Sequence, residues 1–328
     1  MVKPPSFWKN INIISIFLYP LSILYTIISK LRYILQKPEH HKSKVICIGN
    51  VAIGGSGKTP LAIALGKLLI SQKYKIAYAC KNYGGSIKHP TQITQYHTIG
   101  QVIDEALLLS KIAPTFIAAN RNEAIREASE LADIVISDDG LQNNSFHKDL
   151  SILALPRDKN FGNNLIFPAG PLRESLKDGL KKSGLVFIMN ETKTSHKLNR
   201  IVAEKHINKK QIFQTSVIYK LCGPKRKKYI AFCGIANPSN FFESLEIQGI
   251  QPLKEITYPD HYQYTKKDLS KLLAKAQKSN AGLITTEKDL VKFNKQQLKK
   301  ISYLKQTIEI KDKNLFINYA AHYLRSRI

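Results

Sequence analysis

Lys58 and Thr59 close the stretch AIGGSGKTP, Ala52 to Pro60, directly behind a run of glycines. Glycines let backbone amides approach phosphate oxygens, a lysine offsets charge on the β- and γ-phosphates, and a neighbouring hydroxyl is a ligand for Mg2+. The pattern is Ala52-x-x-x-x-Gly57-Lys58-Thr59, with Ala in place of the usual first Gly. Gly54, Gly55, Ser56 and Gly57 keep the loop small. Nucleotide phosphates are its expected ligand.

Other residues could add chemistry. ADIVISDDGLQ, Ala132 to Gln142, is an apolar run ending in Asp138, Asp139 and a glycine, and either acid could hold Mg2+ directly or through water. Asp104 and Glu105 precede an apolar helical run; on spacing alone they are first-turn acids favoured by the helix dipole. His261 lies just before Thr265 and Asp268, which form a capping pattern, so it belongs to a loop entering a helix. FPAGPLRES, Phe167 to Ser175, is a rigid turn presenting Arg173 beside Glu174. TTEKDLVKF, Thr285 to Phe293, follows the strand-like AGLI and reads as a helix start.

These residues need elements to position them. KVICIGNV, Lys44 to Val51, is a β-branched run of strand length, and TPLAIALGKLLI has the content of a helix packed on a sheet. The glycines thus sit between a strand and a helix N-terminus, with Pro60 in the first turn, where its missing N–H costs little. In open α/β sheets ligands bind off the carboxyl ends of strands, which brings Asp138 and Asp139 to the phosphate loop. Gly, Pro and a basic run in YKLCGPKRKKY, Tyr219 to Tyr229, mark a domain boundary.

A chain of 328 residues is long enough for two domains. Fifty Lys and Arg against 24 Asp and Glu leave a formal charge of +26, which favours an anionic partner: nucleic acid, phospholipid headgroups or a phosphorylated substrate. The cations are spread along the chain, and no motif interleaves them with aromatics for base stacking, so nucleic acid is not expected as a partner. Cys47, Cys80, Cys222 and Cys233 have neither paired CxxC spacing nor the density of a disulfide scaffold, and read as reduced cytoplasmic thiols.

Asn10 to Ser29 carry no charge, and the length permits a membrane span. Yet Asn12, Ser15, Tyr19, Ser22, Thr26, Ser29 and Tyr33 recur at alternating steps of three and four, a continuous polar stripe on a helix. With Lys3, Lys9, Lys30 and Arg32 at its ends, such a helix suits lying in a membrane interface or docking its stripe on the protein. Pro20 is expected to kink or split it.

Taken together, GNVAIGGSGKTP, NYGG, DEALLL, NRNEA, SDDGLQ, FPAGPLRE, GIANPSNFF, PDHYQYT and TTEKDLVK, in order from about residue 45 to residue 293, resemble the tetraacyldisaccharide 4'-kinase family, the lipid A 4'-kinases. The resemblance implies transfer of the γ-phosphate of ATP, with Mg2+, to the 4'-hydroxyl of lipid A disaccharide 1-phosphate. It places the enzyme at the cytoplasmic face of a Gram-negative inner membrane, peripheral or monotopic, on an anionic surface. No obligate protein partner is implied. Asp104 matches the family's catalytic aspartate and His261 its partner histidine, and an Asp–His pair can take a proton from a sugar hydroxyl. Lys58 completes the catalytic set; Thr59, Asp138, Asp139 and Glu174 are the candidates for Mg2+, and Arg173, Arg121 and Gln142 for the substrate. This chain departs from the family pattern at Ala106 (Pro in the family), at Asn143 (His) and at Lys81-Asn82 (Arg-Gly).

The expected fold is α/β: a P-loop NTPase-like sheet with helices on both faces, a smaller second α/β lobe, and an N-terminal membrane-associating helix. The expected divisions are residues 1–35, 36–222 and 223–328, the last closing over the cleft with His261. The competing function is a membrane-bound P-loop ATPase or GTPase switch driving a partner protein, although the Asn-Lys-x-Asp guanine signature is absent.

Overall fold

The computed structural model describes residues 5–54, 57–156, 161–189 and 212–325. Gly55 and Ser56 of the phosphate loop lie outside the described residues. The elements are α1 (Ile13–Leu35), β1 (Lys44–Gly49), α2 (Lys58–Ser71), β2 (Ile76–Lys81), β3 (Thr91–Gln92), α3 (Asp104–Leu109), β4 (Thr115–Ala118), α4 (Arg121–Ser129), β5 (Ile134–Asp138), β6 (Leu150–Pro156), α5 (Leu176–Lys182) and β7 (Leu185–Met189). They continue with β8 (Ile212–Cys222), β9 (Tyr229–Cys233), α6 (Pro238–Ile247), β10 (Lys254–Thr257), α7 (Lys266–Lys278), β11 (Gly282–Thr286), α8 (Glu287–Leu290), α9 (Lys295–Leu298), β12 (Ile301–Ile310) and α10 (Lys313–Arg325).

The strands form a 12-stranded sheet in the order β10-β9-β11-β12-β8-β7-β6-β1-β5-β2-β4-β3. Its β8–β7–β6–β1–β5–β2–β4 run is parallel, and so is β12–β11–β9–β10. The long strand β8 joins the two runs, pairing parallel with β7 near its start and antiparallel with β12 along most of its length. Alternate residues of β1 point to opposite sides of the sheet. Ile46 and Ile48 pack with Leu61 and Leu65 of α2, whereas Val45 and Cys47 pack with Ala124 and Ile125 of α4, so helices cover both faces. β9 repeats the arrangement, with Phe232 against α7 and Ala231 against α6.

Chain order reverses around β1, whose neighbours are β5 on one side and β6 on the other. A crevice opens at such a switch point, off the carboxyl ends of the strands. Helix α2 starts there and lies close on the sheet: a Cβ on Gly66 would overlap Tyr78 Oη. Tyr78 is fully buried and donates its hydroxyl to Ala62 O at 3.1 Å, so it cannot easily yield. Gly66→Ala should therefore destabilise the fold by about 1–3 kcal/mol. An unchanged thermal melt would refute that packing argument.

Helix α1 runs unbroken through Pro20, so the proline does not split it. Asn12 and Ser15 close its N-terminus as a capping box. Its polar stripe faces the protein: Ser15 and Ser22 are buried, Asn12, Thr26, Ser29 and Tyr33 half-buried, and of the stripe only Tyr19 is exposed. Ser22 Oγ donates to Ile166 O at 2.7 Å and accepts from Ala169 N at 3.1 Å, while Tyr25 meets Phe167 edge-on. The apolar residues point away, with Ile13 85% and Phe17 82% exposed. By length and composition the helix could cross a membrane.

Candidate active site

The phosphate loop leaves β1 at Gly49, and the β1–β5 register sets Ile48 beside Asp138. Ile53 N donates to Pro171 O at 2.8 Å and Ala52 bridges to Leu172, so the turn carrying Arg173 and Glu174 backs the loop. Gly54 (φ 117) and Gly57 (φ 76) take left-handed backbone that a side chain would strain, and Gly54 has open space around it. Thr59 Oγ1 donates to Asp138 Oδ2 at 2.9 Å. Lys58 Nζ lies 3.1 Å from Asn50 Oδ1 and 3.3 Å from Asp139 Oδ1.

The two acids have opposite electrostatic characters. Burial pushes the Asp138 carboxyl up to about 6, with repulsion from Asp139 adding to the rise and Lys58 opposing it. Burial acts the same way on Asp139, but Lys58, Arg173 and Arg121 overcome it and hold that carboxyl down at about 2. Arg173 Nη1 donates to Asp139 Oδ1 at 2.9 Å. Asp138 Oδ1, by contrast, is buried with no hydrogen-bond partner among the described residues. An orphaned carboxylate oxygen beside a threonine hydroxyl and a phosphate loop fits Mg2+, which takes one or two protein oxygens and keeps phosphate or water for the rest. Among the described residues, no group of three or more His, Cys, Asp or Glu is arranged to hold a metal ion.

Glu174, Gln142 and Arg121 border this centre differently. Glu174 accepts from Gln142 Nε2 at 2.7 Å and from Lys182 Nζ at 2.5 Å. Gln142 also donates to Asn50 O at 2.7 Å, so Glu174 reaches the Lys58 region through Gln142 and Asn50. Arg121 starts α4, is buried, and leaves Nε without a hydrogen-bond partner among the described residues. Asn50 and Lys182 are not among the sequence-predicted site residues: Asn50 lies in GNVAIGGSGKTP but ahead of the phosphate-loop pattern, and Lys182 belongs to a basic pair with no chemical signature.

Asp104 begins α3, which packs beside α2. Asn82 aims it: its side chain donates to Ile87 O and Gln101 O and accepts from Ile103 N. Asp104 is 3% exposed, and its Oδ2 accepts from His261 Nδ1 at 3.1 Å across the two halves of the sheet. His261 takes a left-handed backbone (φ 57), as does Asp139 (φ 58), and such backbone concentrates at functional sites. Asp260 Oδ1 and Gly234 O fix the His261 backbone N–H.

The expected Asp–His pair is embedded in a larger ionic cluster. Lys288 Nζ lies 2.9 Å from Glu105 Oε1, and Lys292 Nζ 3.4 Å from Asp104 Oδ2 and 2.9 Å from Asp289 Oδ1. Burial opposes ionisation of Asp104 and Glu105, but His261, Lys292 and Lys288 outweigh it at Asp104, and Lys288 and His261 at Glu105, so both carboxyls are held below the usual range. Glu105, Lys288, Asp289 and Lys292 were missed as site residues, although DEALLL and TTEKDLVK had been noticed. Their signal was the spacing of Lys288 and Lys292, one helical turn apart on a stretch following a strand.

The profile of one protein family, described as LpxK: Tetraacyldisaccharide-1-P 4'-kinase, matches residues 14–323. The tetraacyldisaccharide 4'-kinase of Rickettsia typhi is 38% identical over 317 residues, covering 96% of this chain and 94% of that protein. The enzyme of the same name from Rickettsia felis is 38% identical over 291 residues, 88% of each. Among solved structures, LpxK from Aquifex aeolicus in complex with ATP superposes with a TM-score of 0.73 at 22% identity, covering 95% of this chain and 100% of that one.

Proposed function

The chain belongs to the tetraacyldisaccharide 4'-kinase family, and from that premise we propose that it transfers the γ-phosphate of ATP to the 4'-hydroxyl of lipid A disaccharide 1-phosphate, in lipid A biosynthesis. The observation that carries this reading is the Asp104–His261 hydrogen bond, on a helix packed beside the one that starts with Lys58 and Thr59. A phosphate-binding helix start and a proton acceptor thus lie on adjacent helices. A switch that drives a partner needs the first and has no use for the second.

Bound Mg-ATP supplies the transferable phosphoryl group and divalent charge to neutralise its oxygens. Thr59 and Asp138 are the residues that would hold the cation, with Asp139 committed to Lys58 and Arg173 and Glu174 behind Gln142. Lys58 offsets charge on the outer phosphates, and the backbone amides of Gly54 and Gly57 would face them. Asp104 receives the proton of the 4'-hydroxyl, while His261 donates through Nδ1 and orients the carboxylate. Arg173, Arg121 and Gln142 are assigned to the acceptor on the family resemblance. In this reading residues 223–328 form the lobe that brings His261 to a core of residues 36–222, and residues 1–35 carry the membrane-associating helix.

The outward apolar face of α1 supports a peripheral or monotopic placement on the cytoplasmic, anionic surface of the inner membrane, where a formal charge of +26 also favours binding. Removal of residues 1–35 should release the protein from vesicles containing anionic lipid. Unchanged sedimentation would sink that placement.

The activity itself is tested by mass spectrometry of detergent-solubilised lipid A disaccharide 1-phosphate after incubation with protein and Mg-ATP. A product heavier by one phosphate is expected. ATP hydrolysis with no lipid product would favour the partner-driving reading instead.

A further inference from the structure

The cluster around Asp104 contains a lysine that the proposed mechanism does not yet use. Lys292 has a side chain only 1% exposed, between Asp104 at 4% and Asp289 at 0%. A lysine withdrawn so far from water is tolerated only where acids compensate its charge. Here its position is dictated from behind. Asp289 also accepts from Gly234 N at 2.9 Å, Thr286 Oγ1 at 2.9 Å and Tyr264 Oη at 3.2 Å, so it is anchored to β9, to the end of β11 and to the loop before α7. Lys292 is therefore a strut from the C-terminal half of the sheet to the carboxylate of Asp104.

Both contacts made to Asp104 across this junction, His261 Nδ1 and Lys292 Nζ, fall on the same oxygen, Oδ2. A hydrogen bond from His261 and an ion pair with Lys292 on one oxygen favour a single rotation of the carboxylate about its last bond. Resting on the assignment of Asp104 as the proton acceptor, we propose that Lys292 is a positioning residue: it locks Asp104 through Oδ2, keeps it ionised in its dry setting, and so leaves Oδ1 to meet the acceptor hydroxyl. The other charged groups facing this carboxylate are His261, Lys288, the adjacent Glu105, Asp260 behind the histidine and Asp289 behind Lys292. Of the two lysines, Lys292 directly contacts Asp104, whereas Lys288 is engaged by Glu105. Proton acceptance requires the carboxylate form, so activity rises as pH rises through the Asp104 pKa. Loss of a neighbouring cation raises that pKa and moves the acid limb of the profile to higher pH.

The test is the pH dependence of kcat/KM for the lipid acceptor in the full chain, comparing wild type with Lys292→Met, Lys292→Arg and Asp104→Asn. In Lys292→Met the acid limb should move up by about one pH unit, with activity at a fixed pH on that limb lowered about tenfold and KM for ATP unchanged. Lys292→Arg should return the limb toward its original position. Should the methionine variant not fold, Lys292→Gln keeps a donor between the two acids without the charge, and the same upward shift is expected. A loss of equal size at every pH, or an unshifted limb in both uncharged variants, overturns the role of Lys292. Near-normal turnover in Asp104→Asn overturns the underlying base assignment instead, so the two failures are distinguishable.

Discussion

With Asp104 replaced by Asn, phosphoryl transfer to the lipid acceptor should fall by roughly 10²–10⁴ while ATP still binds. The amide keeps the shape of the carboxylate and its place at the N-terminus of α3, and Asn82 continues to hold the preceding residue. What disappears is the basic oxygen, and with it the destination of the hydroxyl proton. The same change leaves Lys292 facing one acid instead of two, so part of any loss could be structural. Thermal melting and equilibrium binding of a fluorescent ATP analogue separate the causes. Normal melting and nucleotide binding with lost transfer is the expected combination; near wild-type transfer would remove Asp104 from the chemistry.

Lys58→Ala should cost about 10²–10³ in turnover, the scale of one preorganised charge aimed at developing negative charge, and should also weaken ATP binding. In the structure the Lys58 ammonium already lies between Asn50 Oδ1 and Asp139 Oδ1, its side chain 12% exposed. Little ordering then remains to be done when phosphate arrives. Its removal also withdraws the cation that most strongly offsets burial of both Asp138 and Asp139. Product formation at the wild-type rate in the alanine variant, measured by the same mass-spectrometric assay, would show that the loop does not hold the reacting phosphates.

These two residues differ in how far they could be read beforehand. Lys58 sits in a local pattern of strand, glycines and helix start, and local patterns survive in a linear sequence. The Thr265–Asp268 capping box and the inward polar stripe of α1 were legible for the same reason. Asp104 and His261 are 157 residues apart, and neither neighbourhood announces the other. On spacing alone both had ordinary explanations, and only the family resemblance joined them. Asp289 and Lys292 lie in TTEKDLVK, which by itself reads only as a helix start; their roles arise from the parallel pairing of β11 with β9 and β12, which turns the following short helix toward α3. The continuity of the sheet through β8 was similarly hidden, since one strand changes partners along its length.

The mounting of α1 has a kinetic consequence. Its far end is tied to the loop that follows Asp139: Asn144 Nδ2 donates to Tyr33 O at 2.9 Å and Asn144 N to Gln36 Oε1 at 3.0 Å, with Lys182 over the Tyr33 ring at 4.2 Å. On the membrane-associated reading, the height of the crevice above the lipid tails is then set by covalent and hydrogen-bonded geometry. A lipid carrying several acyl chains would lose about 0.8 kcal/mol per methylene on leaving the bilayer, so an enzyme that had to extract it would be nearly idle. A crevice held at headgroup level needs no desorption. Turnover should therefore follow the mole fraction of substrate within the bilayer, and diluting that lipid with inert phospholipid should slow the reaction even when its bulk concentration is unchanged.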